Sequence, residues 1–134
     1  MTAFAGVVSL GRAQIKPGVA KSLLSYISTP KHLEIVEFND VEADIASKSL
    51  VTDTVSYNDD EVFVVADCRI DDSDDLCRQL GIAVSVENLG KIIGVAYKKW
   101  GEVLVDHIFG EFAFAVWNKR DKSLILGRDR FGRM

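Results

Sequence analysis

Phe112-Ala113-Phe114-Ala115-Val116-Trp117-Asn118-Lys119-Arg120-Asp121-Lys122-Ser123-Leu124-Ile125-Leu126 is the stretch that decides the fold. Two apolar runs flank a short polar segment, Asn118 to Asp121, and this is the pattern of a β-hairpin. Both runs are apolar throughout, so the sheet that holds them is expected to be covered on both faces. Just upstream, Leu89, Ile92, Ile93, Ala96, Tyr97 and Trp100 recur at helical spacing and make one apolar face. Gly101 ends that helix.

Working outward, Asp72 is placed to cap a short helix through Leu80, with Asp75 in its first turn and Gly81 as the stop. Val62 to Ala66 reads as a short buried strand. Ala3 to Leu10 is small and apolar, with Val7 and Val8 favouring a strand buried on both faces. Pro17 can open a helix whose stripe is Val19, Leu23, Leu24 and Ile27, closed by Ser28-Thr29-Pro30. His32 to Phe38 predicts a strand with an irregularity, and Val41 to Thr54 a further strand and a loop. Strands and helices mix without a regular βαβ rhythm. The expected class is α+β, with stacked sheets covered by helices in a single domain over residues 1–134.

Composition excludes several classes. Hydrophobic residues make up 48% and charged residues 27%, the balance of a globular protein rather than a disordered one. A net charge of −4 argues against a dedicated nucleic-acid binder. No apolar run is long enough to span a bilayer, and no secretory signal pattern opens the chain. Cys68 and Cys77 form no CxxC pair, so both are expected to be reduced thiols in a cytoplasmic protein. Charge is uneven, with an acidic middle (Asp59 to Asp75) and a basic tail (Lys119 to Arg133), which reads as solvated faces.

Generic site motifs fail on inspection. Asp71-Asp72-Ser73-Asp74-Asp75 lacks the sixth-place glycine and twelfth-place glutamate of a calcium loop; Leu76 and Ile82 stand there. His32 and His107 have no cysteine at zinc-ligand spacing. Gly127-Arg128-Asp129-Arg130-Phe131-Gly132 lacks the Lys-Ser/Thr ending of a phosphate-cradling loop. No metal or cofactor site is expected in this chain.

Longer motifs are more specific. Phe109 to Trp117 is similar to "GxFAFaiwD", and Leu124 to Gly132 to "laRDrfGxKPLYY". Ala96-Tyr97-Lys98-Lys99-Trp100-Gly101 is similar to "ayxxWG". Asp67-Cys68-Arg69-Ile70-Asp71-Asp72 stands where "NGEIYN" is expected, and Met1-Thr2-Ala3-Phe4-Ala5-Gly6 where "MCGIxG" is expected. Together these resemble the class II glutamine amidotransferase domain of the asparagine-synthetase family. The resemblance implies an Ntn-hydrolase fold, two antiparallel sheets stacked between helices (αββα). It also implies further strands beyond Met134, and a separate synthetase domain that binds ATP and Mg and is missing here.

The same resemblance implies a site, and the chain departs from it at each part. The family's nucleophile is a cysteine freed by removal of the initiator Met, its own α-amine acting as base. Thr2 holds that place, and with Met1 attached it has no free amine. The family's oxyanion hole uses an Asn side-chain N–H and a Gly backbone N–H. Ungapped alignment puts Asp67 and Cys68 there, and a carboxylate donates nothing. The substrate-binding Arg has no counterpart from Ala46 to Tyr57, and the amine-binding Asp falls near the apolar Leu89. The expected function is therefore a glutaminase-like domain without glutaminase activity, attached to an ATP-dependent amide-forming enzyme. The alternatives are an amidotransferase working through Thr2, or a non-enzymatic interaction module. The expected partners are the missing synthetase domain and a second copy, docked through an incomplete sheet edge near Leu124 to Met134; no nucleic acid or membrane is expected.

Overall fold

Residues 2–11, 13–28, 32–50, 55–84 and 88–132 are described in the computed structural model. The chain forms two units, Met1–Asp53 and Thr54–Met134.

The first unit is a three-stranded antiparallel sheet with one helix. Its elements are β1 (Ala3–Val8), α1 (Val19–Ser25), β2 (Glu34–Asp40) and β3 (Ala43–Ser49), and the strand order is β1-β3-β2. β2 and β3 join through a tight turn in which the Asp40 carboxylate accepts the Val41 N–H at 2.6 Å. α1 packs Ala20 and Leu24 on Ala46, with Ala3 and Ala5 beside them. Small side chains on the sheet let the helix lie close. The expected stripe is corrected here: Val19, Leu23 and Ile27 are exposed, and only Leu24 of the four is buried. The helix is instead anchored by polarity. The buried carboxylate of Asp44 accepts the Ala20 N–H at 2.9 Å, serving one of the amides that a helix start leaves unpaired.

The second unit is a four-stranded antiparallel sheet, β4 (Ser56–Asn58), β5 (Val62–Ile70), β6 (Gly110–Asn118) and β7 (Ser123–Arg128), in that order across the sheet. Helices α2 (Ser73–Leu80) and α3 (Leu89–Trp100) and a 3-10 turn, Gly101–Asp106, complete it. Val62, Val64, Ala66, Phe112, Phe114 and Val116 meet Ile92, Ile93 and Ala96 of α3 and Leu76 of α2 in one buried cluster. The mixed helices and antiparallel sheets make the chain α+β. β5 runs nine residues, well past the expected Ala66, because Asp67 and Arg69 alternate with Cys68 and Ile70 and so keep the strand period.

Hairpin and helix fall where the sequence puts them. Asn118 closes the turn by accepting the N–H groups of Arg120 and Asp121 at 3.0 and 2.9 Å. β6 is buried on both faces, but β7 is not, since Leu126 is 69% exposed. The expectation of a fully covered hairpin thus holds for one strand only. The Asp72 cap is also corrected: α2 begins there, but Asp72 sits at φ 54 and its side chain makes no capping bond. α3 has a true cap, with Asn88 accepting the Lys91 N–H at 2.9 Å.

Two glycines inside α3 explain how it lies on the sheet edge. A Cβ on Gly90 would come within 2.9 Å of the Ser56 carbonyl carbon and 3.0 Å of the Val55 oxygen, and one on Gly94 within 2.8 Å of the Tyr57 ring. Helix propensity alone favours alanine at both places by about 1 kcal/mol. The contact at Gly90 is with backbone, which cannot move aside, and overpacking of that kind costs about 1–3 kcal/mol. Gly90→Ala should therefore lower the unfolding free energy in urea titrations. Gly94→Ala should cost less, because a tyrosine ring can shift.

Candidate functional site

The candidate oxyanion positions, Asp67 and Cys68, lie inside β5. The β5–β6 register is unbroken from Val62↔Asn118 to Ile70↔Gly110, with Asp67 opposite Ala113 and Cys68 opposite Phe112. Strand alternation then sends the two side chains to opposite faces. Asp67 shares the face of Phe63 and Val65. Cys68 joins the helix-covered core with Leu76, Cys77 and Phe112. Burial, followed by the nearby Asp67 charge, pushes the Cys68 thiol up to about 12. It is a protonated core side chain at neutral pH, with no nucleophilic character. Cys77, equally buried on α2, is raised by the same two kinds of cause, burial and then the Asp74 charge.

Backbone polarity in β5 follows the same alternation. The Asp71 N–H donates to Phe109 O at 2.8 Å, so odd-numbered amides face β6; the Ala66 N–H donates to Val55 O at 2.8 Å, so even-numbered ones face β4. The Cys68 N–H therefore points to the β4 side, beyond the last β4–β5 pair, Ser56↔Val65. A donor in that place needs no glycine, since the strand is regular there.

Thr2 is described within the first unit. One step beyond Ala3↔Lys48, the β1–β3 register brings it opposite Ser49, and Ser49 is paired in turn with Glu34 of β2. Directly paired residues share a face, so Thr2, Ser49 and Glu34 form a row across the sheet on the side opposite α1. Ser47, one pair further in, is buried on that face, and its hydroxyl has no hydrogen-bond partner among the described residues. The row was not anticipated, because it requires the register and not merely the strands.

Leu89, near which the amine anchor was expected, is the first residue of α3 and carries no charge. The neighbouring Asn88 is occupied in holding the helix: besides its cap bond it donates to Ser56 O at 3.2 Å. Within the stretch searched for an arginine, residues 51–54 lie outside the described ones.

The most strongly perturbed carboxylate is one that sequence reading assigned to a solvated acidic face. Asp59 Oδ1 accepts the N–H groups of Glu61 and Val62, each at 2.9 Å. Its Oδ2 accepts the Tyr57 hydroxyl at 2.8 Å and the Lys98 ammonium. Burial works against the charge, but the bonds from Lys98, Val62, Glu61 and Tyr57 outweigh it and hold the carboxyl far below its usual range. Burial and the Asp59 bond raise the Tyr57 hydroxyl in return. Lys119 on the β6–β7 turn donates to Asn58 Oδ1 at 2.6 Å and to Asp59 O. Asp59 thus ties the β4–β5 turn to α3 and to the hairpin. The available signal was an Asp two and three residues before amides that enter a strand, the pattern of an Asx turn.

A cavity of about 240 Å³ opens at the Gly110 end of β6, lined by Ile108, Phe109, Phe112, Asp129 and Phe131 among others. The run from Gly127 to Gly132 borders it. It is the end of β7 and a turn around buried Asp129, whose carboxylate accepts the Phe131 N–H at 3.0 Å. Gly127 is required because a Cβ there would fall 2.2 Å from the Phe114 ring. Among the described residues, no three His, Cys, Asp or Glu side chains cluster as a metal site, and no helix is long and apolar enough to cross a membrane.

Residues 43–134 match the profile of a family described as a glutamine amidotransferase domain. Asparagine synthetase (glutamine-hydrolyzing) 3 of Bacillus subtilis is 30% identical over 80 residues, which cover 58% of this chain and 13% of that protein. A putative asparagine synthetase (glutamine-hydrolyzing) of Mycobacterium tuberculosis is 34% identical over 59 residues, 44% of this chain and 9% of the relative. Amidase chry2 of Gibberella zeae is 40% identical over 42 residues, 31% of this chain and 6% of that protein. The chain thus spans a small fraction of the length of the curated relatives it matches.

The Asp59 network has a defined pH signature. A carboxyl depressed below its ordinary value of 3.8 contributes stability that is present above that value and is lost as pH falls below it. Asp59→Asn should cost about 1–3 kcal/mol in urea unfolding at pH 7. The gap to the unmodified protein should narrow progressively between pH 5 and roughly pH 2. A gap that stays constant with pH would show that the charge is not what matters.

Proposed function

We propose, on the premise that this chain belongs to the glutamine amidotransferase domain family, that it is the glutaminase-like N-terminal domain of an asparagine-synthetase-related, ATP-dependent amide-forming enzyme and does not itself hydrolyse glutamine. The first half of this reading is supported by the asparagine synthetases among its relatives, each far longer than this chain. ATP and Mg belong, on this reading, to the separate synthetase domain.

The observation that carries the second half is the carboxylate of Asp67 within the regular β5 ladder. Amide hydrolysis through an acyl intermediate puts negative charge on the carbonyl oxygen, and the family meets that charge with a side-chain N–H. A carboxylate offers no N–H and adds a repulsive charge. Loss of one oxyanion donor costs on the order of 3 kcal/mol of barrier, about a hundredfold in rate. Cys68 can still present its backbone N–H, so half of the arrangement survives. Its thiol cannot replace the missing nucleophile, because it lies protonated in the helix-side core. Thr2 is a weaker nucleophile than cysteine and needs a free α-amine as its base. The amine-binding acid that the resemblance calls for falls near Leu89, which is apolar.

The purified chain should release no glutamate from glutamine above background. Thr2→Cys alone should not restore turnover, because Asp67 still opposes the oxyanion. Robust glutamate release that disappears in Thr2→Ala would establish the alternative, an amidotransferase working through Thr2.

A further inference from the structure

We propose that β4 is a releasable strap, latched by Asp59, that parts from β5 while β5, β6, β7 and α3 stay folded. β4 pairs with β5 over three residues only, Ser56 to Asn58, whereas β5 and β6 pair over nine. The helix-side cluster draws Val62, Val64 and Ala66 from β5 and Phe112, Phe114 and Val116 from β6, but from β4 only the half-buried ring of Tyr57. α3 comes against β4 at Gly90 and Gly94, where it has no side chain to interlock with the strand. Apolar burial therefore holds β4 weakly, and segments of that kind are the ones that open locally.

What fastens the strand is polar, and most of it passes through one residue. Asp59 stands directly after β4. Its carboxylate takes the Tyr57 hydroxyl from the strand and the Lys98 ammonium from α3, and it turns the chain into β5 through the amides of Glu61 and Val62. Lys119 reaches Asn58 from the hairpin, and Asn88 reaches the Ser56 carbonyl from the start of α3. Such bonds are traded for bonds to water when the strand leaves, so opening loses little net. Even-numbered amides of β5 face β4 and odd-numbered ones face β6, as the Ala66–Val55 and Asp71–Phe109 bonds require. Release of the strap therefore bares the N–H groups of Val64 and Ala66, on the flank where the Cys68 N–H lies, and leaves those of Phe63 and Val65 paired with β6. The strap governs access to that flank of β5 whether or not the chain acts on glutamine.

Native-state amide exchange of the chain in sub-denaturing urea, under conditions where the rate reports the opening equilibrium, tests this. Relative to their free-peptide rates, Val64 and Ala66 should exchange at least tenfold faster than Phe63 and Val65. Their exchange should depend little on urea, because strap release exposes little surface, whereas that of Phe63 and Val65 should accelerate steeply. Two variants separate the latch from general stability. Asp59→Asn weakens bonds that are absent once the strap is open, and should speed Val64 and Ala66 at least fivefold. Phe114→Leu loosens the β6 core, which stays intact when the strap opens. It should speed Phe63 and Val65 at least fivefold and leave Val64 and Ala66 within about twofold. If either variant fails to fold, the urea dependence in the unmodified chain still decides. Equal protection and equal urea dependence at all four amides would overturn the proposal. So would parallel acceleration of all four by Phe114→Leu, or Val64 and Ala66 unmoved by Asp59→Asn.

Discussion

The nine-pair ladder between β5 and β6 is the constraint from which the second unit follows. An antiparallel ladder without a bulge fixes two things at every residue: which face the side chain takes and which neighbour the amide addresses. One step of slippage of β5 would carry Val64, Ala66 and Cys68 out of the helix-side core and Asp67 into it. The buried cluster with α2 and α3 makes that slippage costly, since it includes Phe112, Phe114 and Val116 from β6. Burial of each such large side chain contributes about 1.5–3 kcal/mol.

The same ladder fixes where Asp67 and Cys68 point. Asp67 and Cys68 are adjacent in sequence but on opposite sides of a sheet. No relaxation of side chains alone can turn the Cys68 thiol to the Asp67 face. The Cys68 N–H faces the β4 side, and its thiol lies in the helix-side core. Asp67 lies within β5, Thr2 just before β1 and Leu89 at the start of α3. Each of the three is compatible with its local structure. Elsewhere polarity is used for structure. Asp59 collects four hydrogen bonds at one turn, and Asp44 holds the first turn of α1.

Much of this fold could be read from the sequence where the hydrophobic period is strong. α3 occupies Leu89 to Trp100 as its stripe indicates, and the hairpin turns at Asn118. The family was legible in the motifs around both. Reading failed where a second principle overrode periodicity. β5 continues through Asp67 and Arg69 because alternation, rather than apolar content, maintains a strand. α1 buries Ala20 instead of Val19 and Leu23, since close packing on Ala46 favours the smallest face. Gly90 and Gly94 look like helix breakers but are clearance for β4. The Asp59 network was hidden because charge runs are ordinarily solvated, and only the fold brings Lys98 and Lys119 to it. The row of Thr2, Ser49 and Glu34 depends on a register that no local pattern specifies.

Thiol reactivity in the native state tests the strand register, and with it this account of the site, most directly. With Cys77→Ser to leave a single cysteine, alkylation by a small iodoacetamide reagent can be followed against pH, with and without denaturant. The account predicts that Cys68 resists modification throughout neutral and mildly alkaline pH and reacts only on unfolding, as befits a thiol held near 12 in the core. Rapid native-state alkylation near pH 7 would place that thiol at the surface as a thiolate, and would contradict both the register and the reading of the site.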